Sequence, residues 1–303
     1  MIKTILACPN ITENKNVRSR NEHPITHLAT VVNWTPAAIA HTIHTVRIIC
    51  IGAHPDDCEI EFGGAAYKFA ASGHAVKFLS VTNGAAGHHV HAAAELAAIR
   101  KHEAGEAARR LGIAETEILG YNDGELLATL DAREEIVRRI RQWNADVALT
   151  HRPWDYHPDH RYTGQLVQDS AYLVMVPRLC PDTPALRHNP LFLYLEDGFQ
   201  LPAPFVADVA VAIDDVWERK ISALDAHASQ FYEWLPWIDG RDVPVDHRME
   251  WLSTTWGRPI SKCARVALTR RYGRGEVQHA EAFQICEYGR RASRQELDDI
   301  FPR

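Results

Sequence analysis

Short apolar runs alternate along the chain with longer stretches in which apolar positions recur at helical spacing. Residues 46–52 form a nearly continuous apolar run of strand length, and residues 61–72 predict a helix. A second strand is expected over 75–82. The long helix predicted for 91–111 ends at Gly112, the residue type that closes helices in the left-handed region. Strands at 116–120 and 146–150 bracket a helix at 132–143, and a further helix is predicted from His160 to Met175. Parallel strands need a crossover long enough to hold a helix, so this alternation implies a mostly parallel sheet covered on both faces. The expected fold is α/β, doubly wound and Rossmann-like, in a single domain over residues 46–303.

Beyond residue 176 the pattern weakens. Residues 191–195 and 208–213 read as strands, 216–231 as one amphipathic helix, and a last apolar segment surrounds Glu281. An aromatic-rich stretch (Phe231, Tyr232, Trp234, Trp237, Trp251, Trp256) suits core or subunit packing better than the lining of a sugar subsite. Aromatics at that density lead to the expectation of a homo-oligomer, because large apolar patches rarely stay bare. Residues 1–45 lack any period and are expected to be a loosely ordered N-terminal extension.

Composition changes this picture mainly by exclusion. Among 303 residues, 46% are hydrophobic and 24% charged, as in a soluble globular protein. The net charge of -6, without a basic run, gives nothing to hold a nucleic acid or an anionic membrane. No apolar run approaches the ~18 residues of a membrane-spanning helix. The six cysteines are scattered with no Cys-x-x-Cys, which argues against a zinc knuckle or a disulfide scaffold and fits a cytoplasmic protein. The 17 histidines are informative through their positions.

In an open α/β sheet, ligands bind beyond the carboxyl ends of the strands. The first strand runs into Ala53-His54-Pro55-Asp56-Asp57, and the strand ending at Thr150 runs into a loop from His151 to His157-Pro158-Asp159-His160. A hydrolytic zinc site takes three protein ligands and an open position for water. A nearby carboxylate that does not ligate the ion can then accept a proton from that water. His-Pro-Asp-Asp contains a ligand imidazole, a ligand carboxylate and a base within four residues, and the second loop has the remaining ligand. The same residue types also bind iron or manganese, so ferrous iron stays open in a reducing cell. The Gly87-His88-His89-Val90-His91 turn adds His88 as a residue expected to face the site. His227 reads as a satisfied core histidine.

These motifs resemble the PIG-L/LmbE-like family of zinc-dependent N-acetylglucosaminyl deacetylases. The matching residues are Ala53-His54-Pro55-Asp56-Asp57, Thr82-Asn83-Gly84-Ala85-Ala86-Gly87, Arg100 to Glu103, Asp123-Gly124 and His157-Pro158-Asp159-His160. Lys220, Ala226-His227-Ala228-Ser229-Gln230 and Ala280-Glu281-Ala282-Phe283 follow. Carried over position by position, the resemblance implies His54, Asp57 and His160 as zinc ligands and Asp56 as the general base. It makes His157 the cation that stabilises the oxyanion or protonates the leaving amine. Asp159 would orient an imidazole, and Arg100 would contact the sugar.

The implied reaction removes a short acyl group from the nitrogen of a small amino-sugar substrate. Two other readings remain beside it. One is a metallo-amidase acting on a thiol conjugate or other amide. The other is a non-catalytic sugar-binding module, which the lack of Gly-x-Gly-x-x-Gly after the first strand at least separates from dinucleotide binders. A metal-dependent phosphatase would want more carboxylate ligands than the sequence offers.

Overall fold

A computed structural model of the chain describes residues 45–244, 246–257, 260–273 and 275–303. The extension expected over residues 1–45 lies, but for Thr45, outside the described residues. Strands β1 (Arg47–Gly52), β2 (Ala75–Thr82), β3 (Glu115–Tyr121) and β4 (Val147–Thr150) are separated by helices α1 (Asp57–Ala71), α2 (Ala93–Leu111) and α3 (Leu130–Trp143). Helix α4 (Pro158–Leu173) leads to β5 (Leu191–Leu195) and β6 (Val209–Ala212). Then come α5 (Trp217–Asp225), α6 (Leu235–Asp239), α7 (Arg248–Trp256), α8 (Lys262–Tyr272), β7 (Ala280–Ile285) and α9 (Arg294–Ile300).

The strands form a seven-stranded sheet in the order β3-β2-β1-β4-β5-β7-β6. The pairs β1–β2, β2–β3, β1–β4 and β4–β5 are parallel, and β7 runs antiparallel to both its neighbours. The mostly parallel α/β architecture is the expected one. Strand β1 shows why its sequence is apolar throughout. Ile48 and Cys50 pack with α1 and α2 residues such as Phe62, Phe69 and Leu111. Ile49 and Ile51 point to the other face, against Ile136, Ile140 and Val167 of α3 and α4. A strand buried on both faces has no place for polar alternation.

Three differences from the sequence expectation have local causes. Helix α1 begins at Asp57, four residues earlier than expected, so the metal-motif carboxylate sits in its first turn. Residues 216–231 do not form one helix: α5 stops at Asp225 and a π-helical turn over Ser229–Trp234 follows. Helices α7, α8 and α9 carry no clear apolar period and were not anticipated. Much of the aromatic stretch packs internally: Phe231 is fully buried against Trp256, and Tyr232 lies beside Trp251. No described helix is long and apolar enough to cross a membrane.

A buried ion pair is spliced into α1. Glu281 of β7 accepts the N–H groups of Gly64 and Ala65 at 2.9 and 2.7 Å, and Lys220 of α5 donates to the carbonyl of Ile60 at 2.7 Å. Lys220 and Glu281 are themselves 2.6 Å apart. The helix therefore shares its mid-length hydrogen bonds with two distant elements.

Candidate active site

Strand order reverses between β1 and β4: β2 and β3 continue to one side of β1, and β4 starts the other side. Ile51 pairs with Thr150, so the loops leaving these two strands emerge together, as expected at a topological switch point. Gly52 at the end of β1 permits the tight approach of α1, since a Cβ there would lie 2.7 Å from Asp57 Cβ. His157 caps α4 with its own ring: Nδ1 accepts the N–H of Asp159 at 3.2 Å, and Pro158 starts the helix without a donor to satisfy.

Three side chains converge at this point. His54 Nδ1 is 3.2 Å from His160 Nε2 and 3.6 Å from Asp57 Oδ2, and His160 Nε2 is 3.4 Å from Asp57 Oδ1. The outer ring nitrogens face carboxylates. His54 Nε2 lies 3.2 Å from Asp123 and 3.3 Å from Asp159, and His160 Nδ1 lies 3.2 Å from Asp155. A carboxylate partner takes the N–H of a neutral imidazole, which leaves the lone pair on the inner nitrogen. Two lone pairs and the two oxygens of Asp57 then face one another at spacings that repel unless a cation lies between them. Ligand atoms about 2.0–2.1 Å from a tetrahedral ion stand roughly 3.3 Å apart. The donor set thus fits a metal ion.

The same neighbours set the electrostatics of the cluster. Burial alone would lower the pKa of His54, yet Asp123, Asp159 and Asp57 outweigh it and hold the ring well above the usual histidine range. Burial would raise Asp57, but His160, His151 and His54 keep its carboxyl well below the carboxylate range. Asp56 goes the other way. Burial and the charge of Asp57 raise its pKa against the pull of Arg100, His227 and His54. For His157, burial and the neighbouring His54 and His160 push the pKa down, which favours a neutral ring. Because its Nδ1 accepts a backbone N–H, the neutral ring carries its proton on Nε2 and can donate a hydrogen bond without being a cation.

The cavity over this cluster has a volume of about 460 Å³ and is lined by His54, Asp56, Asp57, His160, Tyr156 and Gln230, among others. Asp159 is fully buried and accepts the N–H groups of Gly124 and Leu126 at 2.7 and 3.2 Å, so it fixes the loop after β3 as well as His54. Arg100 is buried behind the cavity. It donates to the Gly87 carbonyl at 3.1 Å and to the side chain of Gln230, which does line it. His88 points elsewhere: its Nε2 lies 3.0 Å from Glu233, and it lines a separate cavity with His89, His91 and Trp237. His88, His91 and Glu233 also cluster, but His88 Nδ1 accepts the N–H groups of Val90 and His91. Its proton is therefore on Nε2, which makes that nitrogen a donor and a poor ligand.

Sequence reasoning assigned no role to Asp155, His151 or Asp123. Asp155 braces His160 and accepts the N–H of His157 at 3.0 Å. His151, the first residue after β4, is 3.1 Å from Asp57. Asp123 also accepts the N–H of Ala86, tying the glycine-rich turn to His54. His151 and Asp123 both follow strand ends, the signal that could have found them. His227 is fully buried, 3.5 Å from Glu59. Its pKa is lowered by burial but raised on balance by Glu59, Asp56 and Glu103.

Fold and site together define an α/β protein with a metal-capable histidine and aspartate cluster at its switch point. A family model described as PIG-L, GlcNAc-PI de-N-acetylase, matches residues 49–171. The diacetylchitobiose deacetylase of Thermococcus kodakarensis is 32% identical over 208 residues, covering 63% of this chain and 74% of that protein. The chain belongs to the PIG-L family of deacetylases. Among solved structures, the N,N'-diacetylchitobiose deacetylase from Pyrococcus horikoshii superposes with a TM-score of 0.63 at 26% identity, over 80% of this chain and 84% of that one. The 4-carboxy-2-hydroxymuconate hydratase GalB from Pseudomonas putida shares the fold (TM-score 0.64, 20% identity, 82% and 98% covered).

Proposed function

We propose that this chain is a zinc-dependent hydrolase that removes the acetyl group from the nitrogen of an N-acetylglucosamine-type sugar. His54 through Nδ1, Asp57 and His160 through Nε2 would hold the ion. The observation that carries the reading is the facing of two ring nitrogens 3.2 Å apart, each 3.4–3.6 Å from an oxygen of the Asp57 carboxylate, beside a buried carboxylate that is not one of the three groups. The family relationship and the deacetylase names of its relatives support the choice of an acetamide as substrate.

When bound, zinc supplies a Lewis acid for the amide carbonyl and acidifies a water molecule. Asp56 accepts a proton from the attacking water and returns it to the amine nitrogen as the carbon–nitrogen bond breaks. His157 donates from Nε2 to the carbonyl oxygen as charge develops there. Asp123, Asp159 and Asp155 hold the two ligand rings in the tautomers that binding requires. The products are acetate and a free amino sugar. The unpaired state of the five described cysteines supports a cytoplasmic setting, and a homo-oligomer belongs to the same reading.

The test is acetate release across a panel of N-acetylated glucosamine derivatives, with metal-stripped and zinc-reloaded enzyme in parallel. Turnover that disappears on stripping and returns with zinc is the expected result. Turnover that survives full removal of metal would overturn the metal-dependent reading. Silence across the panel with one zinc bound per chain would move the substrate to a different amide.

A further inference from the structure

Arg100 sits behind the catalytic cavity and is only 2% exposed. Its stem passes beside Gly84, where a Cβ would meet Pro55 Cδ at 2.9 Å and Arg100 Cγ at 3.6 Å. Among the described residues the guanidinium forms no ion pair. Nη2 donates to the Gly87 carbonyl at 3.1 Å and to the side chain of Gln230, and the buried Nε donates to nothing. A buried cation left in this state is an anion-binding group without its anion. We infer that Gln230 is a specificity residue that covers this cation, so that at this point the cavity takes a neutral, hydroxyl-bearing sugar in preference to a phosphorylated one. The inference rests on the hydrolase reading for the class of substrate.

Hydrogen bonding fixes the orientation of the cap. A guanidinium only donates, so the Gln230 atom that faces Arg100 is its oxygen. The amide Nε2 is then the end left for the cavity that Gln230 lines, and it donates to no described residue. The neighbouring cation polarises that amide as a donor, and a sugar hydroxyl accepts from it. A phosphate would accept from it too, but one side chain away from the guanidinium it loses the direct charge-assisted bonds. The other side chains around the cavity do not compensate. Asp56, Asp57, Asp155 and Asp197 line it, and its arginine, Arg152, is held on both oxygens of Asp197.

The cap is also held in place by the element that carries the cation. Gln230 belongs to the π-helical turn Ser229–Trp234, a local form found often at functional sites. The residue before it, Ser229, is held by Glu103, three positions beyond Arg100 on α2. Residues three apart share one face of a helix. Two consecutive residues of the turn are thus fixed by neighbouring side chains of α2, which keeps the amide in register with the guanidinium that it covers.

The experiment compares the binding of glucosamine, glucosamine 1-phosphate and glucosamine 6-phosphate to the zinc-loaded protein by calorimetry. Their amines are already free, so hydrolysis does not interfere. The parent is expected to bind glucosamine at least as tightly as either phosphate. Gln230→Ala uncovers the guanidinium and should shift the ratio of affinities by about tenfold or more towards one of the phosphates. Gln230→Ser should do the same, with folding of both checked by circular dichroism, which guards against one variant that misfolds. Adding Arg100→Met to either variant should abolish the shift, an outcome that a merely structural role for Gln230 would not give. A parent that prefers a phosphate, or a ratio unchanged by both shortened side chains, would overturn the inference. So would a shift that survives Arg100→Met, which would place the anion on the metal instead. The expected shift in a protein whose parent releases no acetate from any glucosamine derivative would uphold the cap and overturn the hydrolase reading.

Discussion

Asp56 and Asp57 are neighbours in sequence, yet their surroundings drive them apart. Asp57 lies against three imidazoles and stays ionised far below the usual range, whereas Asp56 is pushed up by burial and by Asp57 itself. Carboxylates separated in this way take different tasks, one holding a cation and the other moving protons. Asp56→Ala is therefore expected to retain bound zinc and to lose about 10²–10⁴-fold in kcat, measured by acetate release alongside metal content. Most of the activity surviving in that variant would remove Asp56 from its role. Asp155 acts through His160, so Asp155→Asn should weaken zinc affinity by about 10–100-fold in a competition titration with a chelator. Unchanged affinity would show that the Asp155–His160 contact does not orient the ring. The residues of His54-Pro55-Asp56-Asp57 were legible in the sequence because their spacing is local. Asp155, His151 and Asp123 were not, because each acquires its role only when loops from β1, β3 and β4 meet. His88 misled for the same reason: a histidine on a glycine-rich turn says nothing about which way the turn faces.

At the scale of elements, α1 carries Asp57 in its first turn and depends on partners far from it. The Lys220–Glu281 pair supplies both an acceptor for two of its N–H groups and a donor for one of its carbonyls. Removing one member leaves a buried charge uncompensated. Lys220→Met should cost about 3–5 kcal/mol of stability, read from denaturant unfolding, and a loss below about 1 kcal/mol would mean that water replaces the ammonium group. The strands and crossover helices as far as α4 were legible from periodicity, within a few residues at their ends. The region after residue 216 was not. One apolar period there conceals the end of α5 and a π-helical turn that packs Phe231 inward. Ser229 is held there by Glu103 of α2, through its N–H at 2.8 Å and its hydroxyl at 2.6 Å. That contact is tertiary and leaves no mark in local hydrophobicity.

For the molecule as a whole, the sheet order explains why a site stands where it does. Loops from β1 and β4 part to opposite faces at the switch point, and a cleft opens between them without any special device. The apolar alternation was enough to expect that architecture. The reversed direction of β7 was not readable, since a strand's sequence does not reveal which way it runs. GalB, whose name is that of a hydratase, shares this fold, so function rests on the cluster and its carboxylates rather than on the sheet.

The Lys220–Glu281 splice has one more consequence, in time rather than space. Glu281 reaches N–H groups 217 and 216 residues earlier in the chain. During synthesis all three proposed ligands leave the ribosome long before that carboxylate does, and domains fold as their parts emerge. Helix α1 is therefore completed only once β7 has emerged. A product cut short before β7 would hold all three proposed ligands, one of them, Asp57, on a helix still waiting for its clasp.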